Sequence, residues 1–184
     1  MFENLREDWR TYGGDLSRQG LWVMFVYRFG RWRYGVRPAL IRDPLSFLYK
    51  ALKLASQILT GVELPCETAV GRRLVIEHFG GIVISGDAVL GDDVVIRNGV
   101  TIGLRRTGVR GAPNIGNRVD IGAGAKLLGD IRIGDDVAVG ANAVVLTDVP
   151  PGCLAVGVPA RIRPRKKEEG RNLAPEEAPQ CPAL

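Results

Sequence analysis

One histidine occurs in the 184 residues, His78, in the stretch VIEHFGGIV (residues 75–83) between Glu77 and the pair Gly80–Gly81. An imidazole, with a free pKa near ~6.5, can take a proton at neutral pH from a weak nucleophile such as a hydroxyl. A lone histidine can equally be a hydrogen-bonded structural group, and its type alone does not choose between the two. What one histidine cannot do is furnish the several imidazole ligands of a His-rich zinc centre. The cysteines, Cys66, Cys153 and Cys181, are far apart, odd in number and in no CxxC pair. They predict no disulfide framework, no metal site and a reducing cytoplasm.

The elements that must position His78 fall into three stretches: a helical segment over 1–62, a repeat over 63–162, and a tail over 163–184. Residues 1–62 hold ten Arg/Lys against five Asp/Glu, whereas 63–184 hold fifteen of each, so the net charge of +5 belongs to the first segment. That excess suits a solvated helix face, or weak association with an anionic membrane surface or a phosphorylated ligand. It carries no nucleic-acid signature. The opening MFENLREDW has acids and no apolar core of a signal peptide. The run Leu21 to Tyr27 is far short of the roughly 20 residues of a spanning helix. Leu21, Phe25, Val26 and Phe29 recur at helical spacing. A second helix is predicted from Asp43 as N-cap, through Pro44 at its first position, to a left-handed cap at Gly61. Its stripe (Leu45, Leu48, Leu52, Ala55 and Leu59, widened by Ala51, Leu54 and Ile58) predicts core or subunit packing, with an in-plane membrane helix as the other reading.

From Val70 the period changes. Aliphatic residues stand at 84, 90, 96 and 102, then at 115, 121, 127, 133, 139 and 145, and glycine usually follows each one. Four residues after each aliphatic comes a second small or β-branched residue, such as Val94, Val100, Val119, Ala125, Val137 and Ala143. A six-residue period fits neither a helix nor a plain alternating strand. It predicts short parallel strands that turn a corner every six residues and stack into a solenoid, with the aliphatics inside and glycine at tight corners. The register slips by two residues just after His78, and breaks again over LRRTGVRGAP (104–113). Irregular excursions from a regular scaffold are where function collects. The tail after Ile162, charge-dense and rich in proline, predicts disorder.

VIEHFGGIVI, VIRNGVTIG and IGNRVDIGAGAKLLGDIRIGDDVAVGANAVVLTDVPPGCLAVGVPARI together resemble the hexapeptide-repeat acetyltransferases, and most closely the serine O-acetyltransferases. The likeness covers about residues 62–162. It implies a mainly β fold: a left-handed parallel β-helix of hexapeptide repeats behind a short N-terminal α-helical segment, assembled as a homotrimer. It also implies acetyl transfer from acetyl-CoA to a small hydroxyl acceptor, L-serine in cysteine biosynthesis, with no metal. By the same resemblance His78 is the general base, and Glu63, fifteen residues upstream, is the carboxylate that supports it on the adjacent coil. Glu77 matches a substrate-contacting acid, beside Gly80 and Gly81. Gly103, Gly122, Ala123, Gly140, Ala141 and Arg161 match the acetyl-CoA site.

The chain departs from the family at several points. Gly103–Leu104 replaces a second diglycine, Gly111–Ala112–Pro113 replaces an Arg-His-Pro, and Ser85–Gly86–Asp87 replaces a Gly-Glu-Thr. The helical segment is also much shorter. Two other readings therefore stand beside serine: O-acetylation of a sugar or other small hydroxyl compound, and an inactive solenoid that binds a partner. Cys66 could suggest a covalent acyl-enzyme, but direct transfer needs no protein nucleophile.

Overall fold

The computed structural model describes residues 2–106, 108 and 111–165. Three helices, α1 (Phe2–Thr11), α2 (Gln19–Arg33) and α3 (Ala39–Thr60), precede a three-sided prism of short strands. One face carries β1 (Val62–Glu63), β4 (Ile82–Ile84), β7 (Thr101–Gly103), β10 (Lys126–Leu128) and β13 (Val144–Val145). The second carries β2 (Ala69–Val70), β5 (Val89–Leu90), β8 (Asn114–Ile115) and β11 (Arg132–Ile133). The third carries β3 (Val75–Glu77), β6 (Val95–Arg97), β9 (Asp120–Ile121), β12 (Ala138–Val139), β14 (Cys153–Val156) and β15 (Arg161–Pro164). Neighbouring strands are parallel except β14 and β15, which close the last coil antiparallel. This is the mainly β, left-handed parallel β-helix that the six-residue repeat predicts.

The register shows how the repeat becomes a coil. Val83 lies opposite Thr101 and Lys126 opposite Val144, three hexapeptides apart in each case. Thr101 lies opposite Lys126, twenty-five residues on where a regular coil has eighteen, so the break in the repeat adds seven residues to this coil. All ten repeated aliphatics, from Ile84 to Val145, are at most 3% exposed, and the second set from Val94 to Ala143 is fully buried. At Gly91 the following glycine is a steric requirement: a Cβ there would stand 2.6 Å from the Gly116 carbonyl oxygen of the next coil. Outside, charges pair from coil to coil, with Arg73 on Asp93 (2.6 Å) and Arg118 on Asp136 (2.7 Å).

A solenoid has open ends, and the helical segment closes the first one with tyrosines. The Tyr12 hydroxyl accepts from the Ile76 N–H (2.9 Å) and donates to the Leu74 carbonyl (3.2 Å). Tyr27 accepts from Val70 (3.2 Å) and donates to Thr68 (2.8 Å), and Tyr49 accepts from the Cys66 N–H (3.2 Å). These are backbone groups of the first coil with no strand beneath them, which would otherwise be buried unpaired. Burial pushes the Tyr12 hydroxyl up to about 12, so it remains a donor. Arg28 and Asp8 form a buried ion pair (3.0 Å), and Arg28 also donates to the Gly71 carbonyl (2.9 Å).

The helices depart from expectation in detail. α3 begins at Ala39 after Pro38, not at an Asp43 cap, so Asp43 is an exposed mid-helix residue and Pro44 lies inside the helix. Gly61 does cap it, with φ 63°. The apolar stripe of α3 is not core: Tyr49 faces the body, while Leu48, Leu54, Ile58 and Leu59 of the stripe are exposed, as are Leu40 and Phe47. In α2, Leu21 is buried, but Phe25 lies outside and Met24 and Tyr27 lie within. Among the described residues no helix is long and apolar enough to cross a membrane. Cys66 is a buried free thiol. The expected disordered tail lies, from residue 166 on, outside the described residues.

Candidate active site

His78 stands where the chain turns from the third face to the first. At this corner Gly99 N–H donates to Gly80 O, Gly124 N–H to Asn98 O and Asn142 N–H to Ala123 O, all at 2.8 Å. Gly80 therefore holds the position that Asn98 and Ala123 hold in later coils. Glu77 pairs with Arg97 in the strand register. Between Glu77 and Gly80, the residues His78 and Phe79 have no counterpart above them. They are the two-residue slip read in the sequence, extruded from the corner as a bulge, with both side chains exposed. The turn runs through the left-handed region at His78 (φ 57°), Gly80 (φ 107°) and Gly81 (φ 66°). The φ of 107° at Gly80 is one that only glycine adopts without strain.

Above the bulge, beyond the Arg97–Asn98 coil, the same corner is built from small residues. Gly122 and Ala123 hold it in one coil, and Gly140 and Ala141 in the next. A Cβ on Gly122 would meet the Ala141 nitrogen at 2.5 Å, and one on Gly140 would meet Val156 Cγ1 at 2.7 Å. The result is a smooth edge of exposed backbone where an extended ligand can lie close to the main chain. Arg161 on β15 pairs with Val156, so it stands at the far end of this edge. Below the bulge, the Gly61 cap of α3 touches the corner: its Cβ would lie 3.1 Å from Gly80 Cα.

The structure gathers most of the sequence-predicted set along this one edge, with two exceptions. Glu63 lies on β1, paired with Val83, on the first face beside the corner, but no hydrogen bond joins its carboxylate to His78. Gly103 lies at the opposite end of the first face, in register with Leu128, where a Cβ would meet only ordinary contact at 3.7 Å.

Sequence reasoning missed the partners of Glu77. Arg97 Nε lies 3.2 Å from Glu77 Oε2, and Arg97 Nη1 donates to Asp120 Oδ1 in the next coil. The Asp120 carboxylate and then Glu77 hold the guanidinium pKa above its ordinary value. The signal was present in the spacing. Glu77 and Arg97 are separated by one eighteen-residue coil plus the two extruded residues, so they must stack. Lys126 Nζ, on the first face of the same corner, donates to the Gly99 carbonyl (2.5 Å) and lies 3.1 Å from Thr101 Oγ1. Among the described residues no group of three His, Cys, Asp or Glu side chains could hold a metal ion.

The family described as bacterial transferase hexapeptide (six repeats) matches residues 112–147. Serine acetyltransferase of Mycobacterium tuberculosis is 43% identical over 144 residues, 78% of this chain and 60% of that protein. Serine acetyltransferase of Helicobacter pylori is 45% identical over 129 residues, 70% of this chain and 75% of that protein. An Escherichia coli acetyltransferase named for colanic acid biosynthesis is 43% identical over 120 residues, covering 65% of this chain and 72% of its own length. Among solved structures, the Brucella abortus serine acetyltransferase in complex with coenzyme A superposes with TM-score 0.74 at 29% identity, covering 88% of this chain and 66% of that one. The Neisseria gonorrhoeae serine acetyltransferase in complex with serine gives TM-score 0.71 at 30% identity, covering 87% and 66%. The chain thus spans three-fifths to three-quarters of the length of these curated relatives.

Proposed function

The chain belongs to the serine acetyltransferase family of hexapeptide-repeat enzymes, and from that premise we propose that it transfers the acetyl group of acetyl-CoA to the hydroxyl of L-serine, with His78 as general base. The observation that carries this reading is the bulge: His78 is one of the two residues extruded from the corner, at the foot of an edge of glycines and alanines. Acetyl-CoA supplies an acetyl group activated as a thioester. Gly122, Ala123, Gly140 and Ala141 line its arm with bare backbone, and Arg161 at the far end suits its phosphates. His78 takes the acceptor's hydroxyl proton at an imidazole nitrogen as that oxygen attacks the acetyl carbonyl, and passes the proton to the departing thiol sulfur. Glu63 supports the resulting imidazolium from the first face. In the free enzyme that contact is open, and such bonds commonly tighten only once the substrates are in place. Gly103 has no part in this arrangement.

The working unit is a homotrimer in which a neighbouring prism covers the donor edge; a light-scattering mass of three protomers tests this. The basic first 62 residues and the apolar outer face of α3 suit weak contact with an anionic membrane surface, and co-sedimentation with anionic vesicles tests that.

A second reading, O-acetylation of a sugar, rests on the colanic acid relative. Thiol release from acetyl-CoA measured against L-serine, homoserine and nucleotide-linked sugars separates the two. Release that depends on L-serine is the expected result, and release with a sugar alone overturns it.

A further inference from the structure

The ion chain beside His78 has a feature that a purely structural salt bridge does not need. Arg97 lies between two carboxylates, and all three groups are open to solvent, Arg97 being 31% exposed on its side chain. Of its five N–H groups, one faces Glu77 and one faces Asp120. The other three have no hydrogen-bond partner among the described residues. A planar guanidinium with a free edge is the side chain best shaped to take a carboxylate in two parallel bonds. Glu77, next in the chain to His78, is half-exposed and pairs with nothing but Arg97 among the described residues. The site thus offers one cation and one anion side by side at the mouth of the bulge. An α-amino acid carries the complementary pair, an ammonium and a carboxylate on a single carbon.

We propose that Arg97 is a specificity-determining residue, which holds the carboxylate of an α-amino acid acceptor while the neighbouring Glu77 takes its ammonium. The acceptor's zwitterion replaces the direct Glu77–Arg97 contact, and Asp120 keeps the guanidinium in place. The side-chain hydroxyl, one carbon beyond the charged centre, is then delivered toward His78. A neutral sugar carries no charges to exchange for the Glu77–Arg97 contact, so the pair favours the zwitterion over it. This inference rests on the serine reading and narrows it: it assigns amino-acid selection to the strand β6 and not to the 104–113 excursion. Arg105, at the start of that excursion, lies against Gly129 at the opposite corner of the first face.

The test is steady-state kinetics with L-serine and with L-serinamide, which keeps the ammonium and hydroxyl but lacks the carboxylate. The wild-type enzyme should prefer L-serine strongly, and Arg97→Gln should raise KM for L-serine about tenfold or more, the loss expected on removing charged hydrogen bonds. Its KM for acetyl-CoA should match wild type, and its activity with L-serinamide should fall far less than its activity with L-serine. Arg97→Lys should restore part of the L-serine preference, and Arg105→Gln none of its loss. Arg97→Gln turning over L-serine like wild type, or losing L-serine and L-serinamide in equal proportion, would overturn the proposal. Should Arg97→Gln fail to fold, a wild-type enzyme that accepts L-serinamide as well as L-serine overturns it by itself. Wild-type thiol release with a sugar and none with L-serine would instead remove the underlying reading.

Discussion

The two parts of this chain place their apolar residues on opposite sides. In the prism the repeated aliphatics from Ile84 to Val145 are sealed inside, and the outward positions carry charges that pair with the coil above. In α3 the face turned away from the body is apolar and open, with Leu40 90%, Phe47 76% and Ile58 75% exposed. The difference follows from geometry. Each coil of a solenoid is roofed by the next, so a repeat can complete its own core. A single helix laid across one end has only one roofed face, which Tyr49 occupies. The prism's hydrophobicity is therefore committed to folding the protomer, and that of α3 remains available for association.

Mutations can break this contrast. Ile121→Ala should leave a cavity inside the prism and cost about 2–5 kcal/mol in urea unfolding. Tyr27→Phe should cost about 1–3 kcal/mol by the same measurement, because the Val70 N–H and Thr68 carbonyl lose their partner at the buried join. Phe47→Ser on α3 should change protomer stability by less than about 0.5 kcal/mol while altering association by sedimentation. If Phe47→Ser destabilised the protomer as much as Ile121→Ala, the contrast would be wrong. The smallest effect is on the outer charge ladder. Arg73 holds the Asp93 carboxyl, and Arg118 the Asp136 carboxyl, below the ordinary carboxylate range. A lowered folded-state pKa contributes stability above the unfolded value near ~3.9, lost as pH falls through the folded value. Melting temperature should hold from neutral pH down to about pH 5 and decline below about pH 4, with the ladder's share reduced in 1 M salt.

The prism was legible in the sequence because a six-residue period converts to position by a fixed rule. That rule gave the ten repeated aliphatics and the slip beside His78, whereas the small residues of the donor edge were read from resemblance. It also contained the stacking of Glu77 on Arg97, which needed the slip added to the coil length. The helical segment had no such rule. Which face of α3 meets the body depends on Tyr49 reaching the Cys66 N–H, and an amphipathic stripe alone does not say which side is roofed. The start of α3 was misread because Asp43–Pro44 makes a plausible cap, yet the chain was already helical from Ala39. Glu63 was assigned from resemblance, and the register sets it beside the corner without a bond to the imidazole.

The central claim is that the extruded His78 takes the acceptor proton, and the most direct test is turnover of His78→Ala with acetyl-CoA and L-serine. Its kcat should fall by roughly 10²–10⁴-fold, the usual share of general-base catalysis, with acetyl-CoA affinity unchanged and Glu63→Gln losing less. A His78→Ala enzyme that turns over L-serine at the wild-type rate would contradict the account.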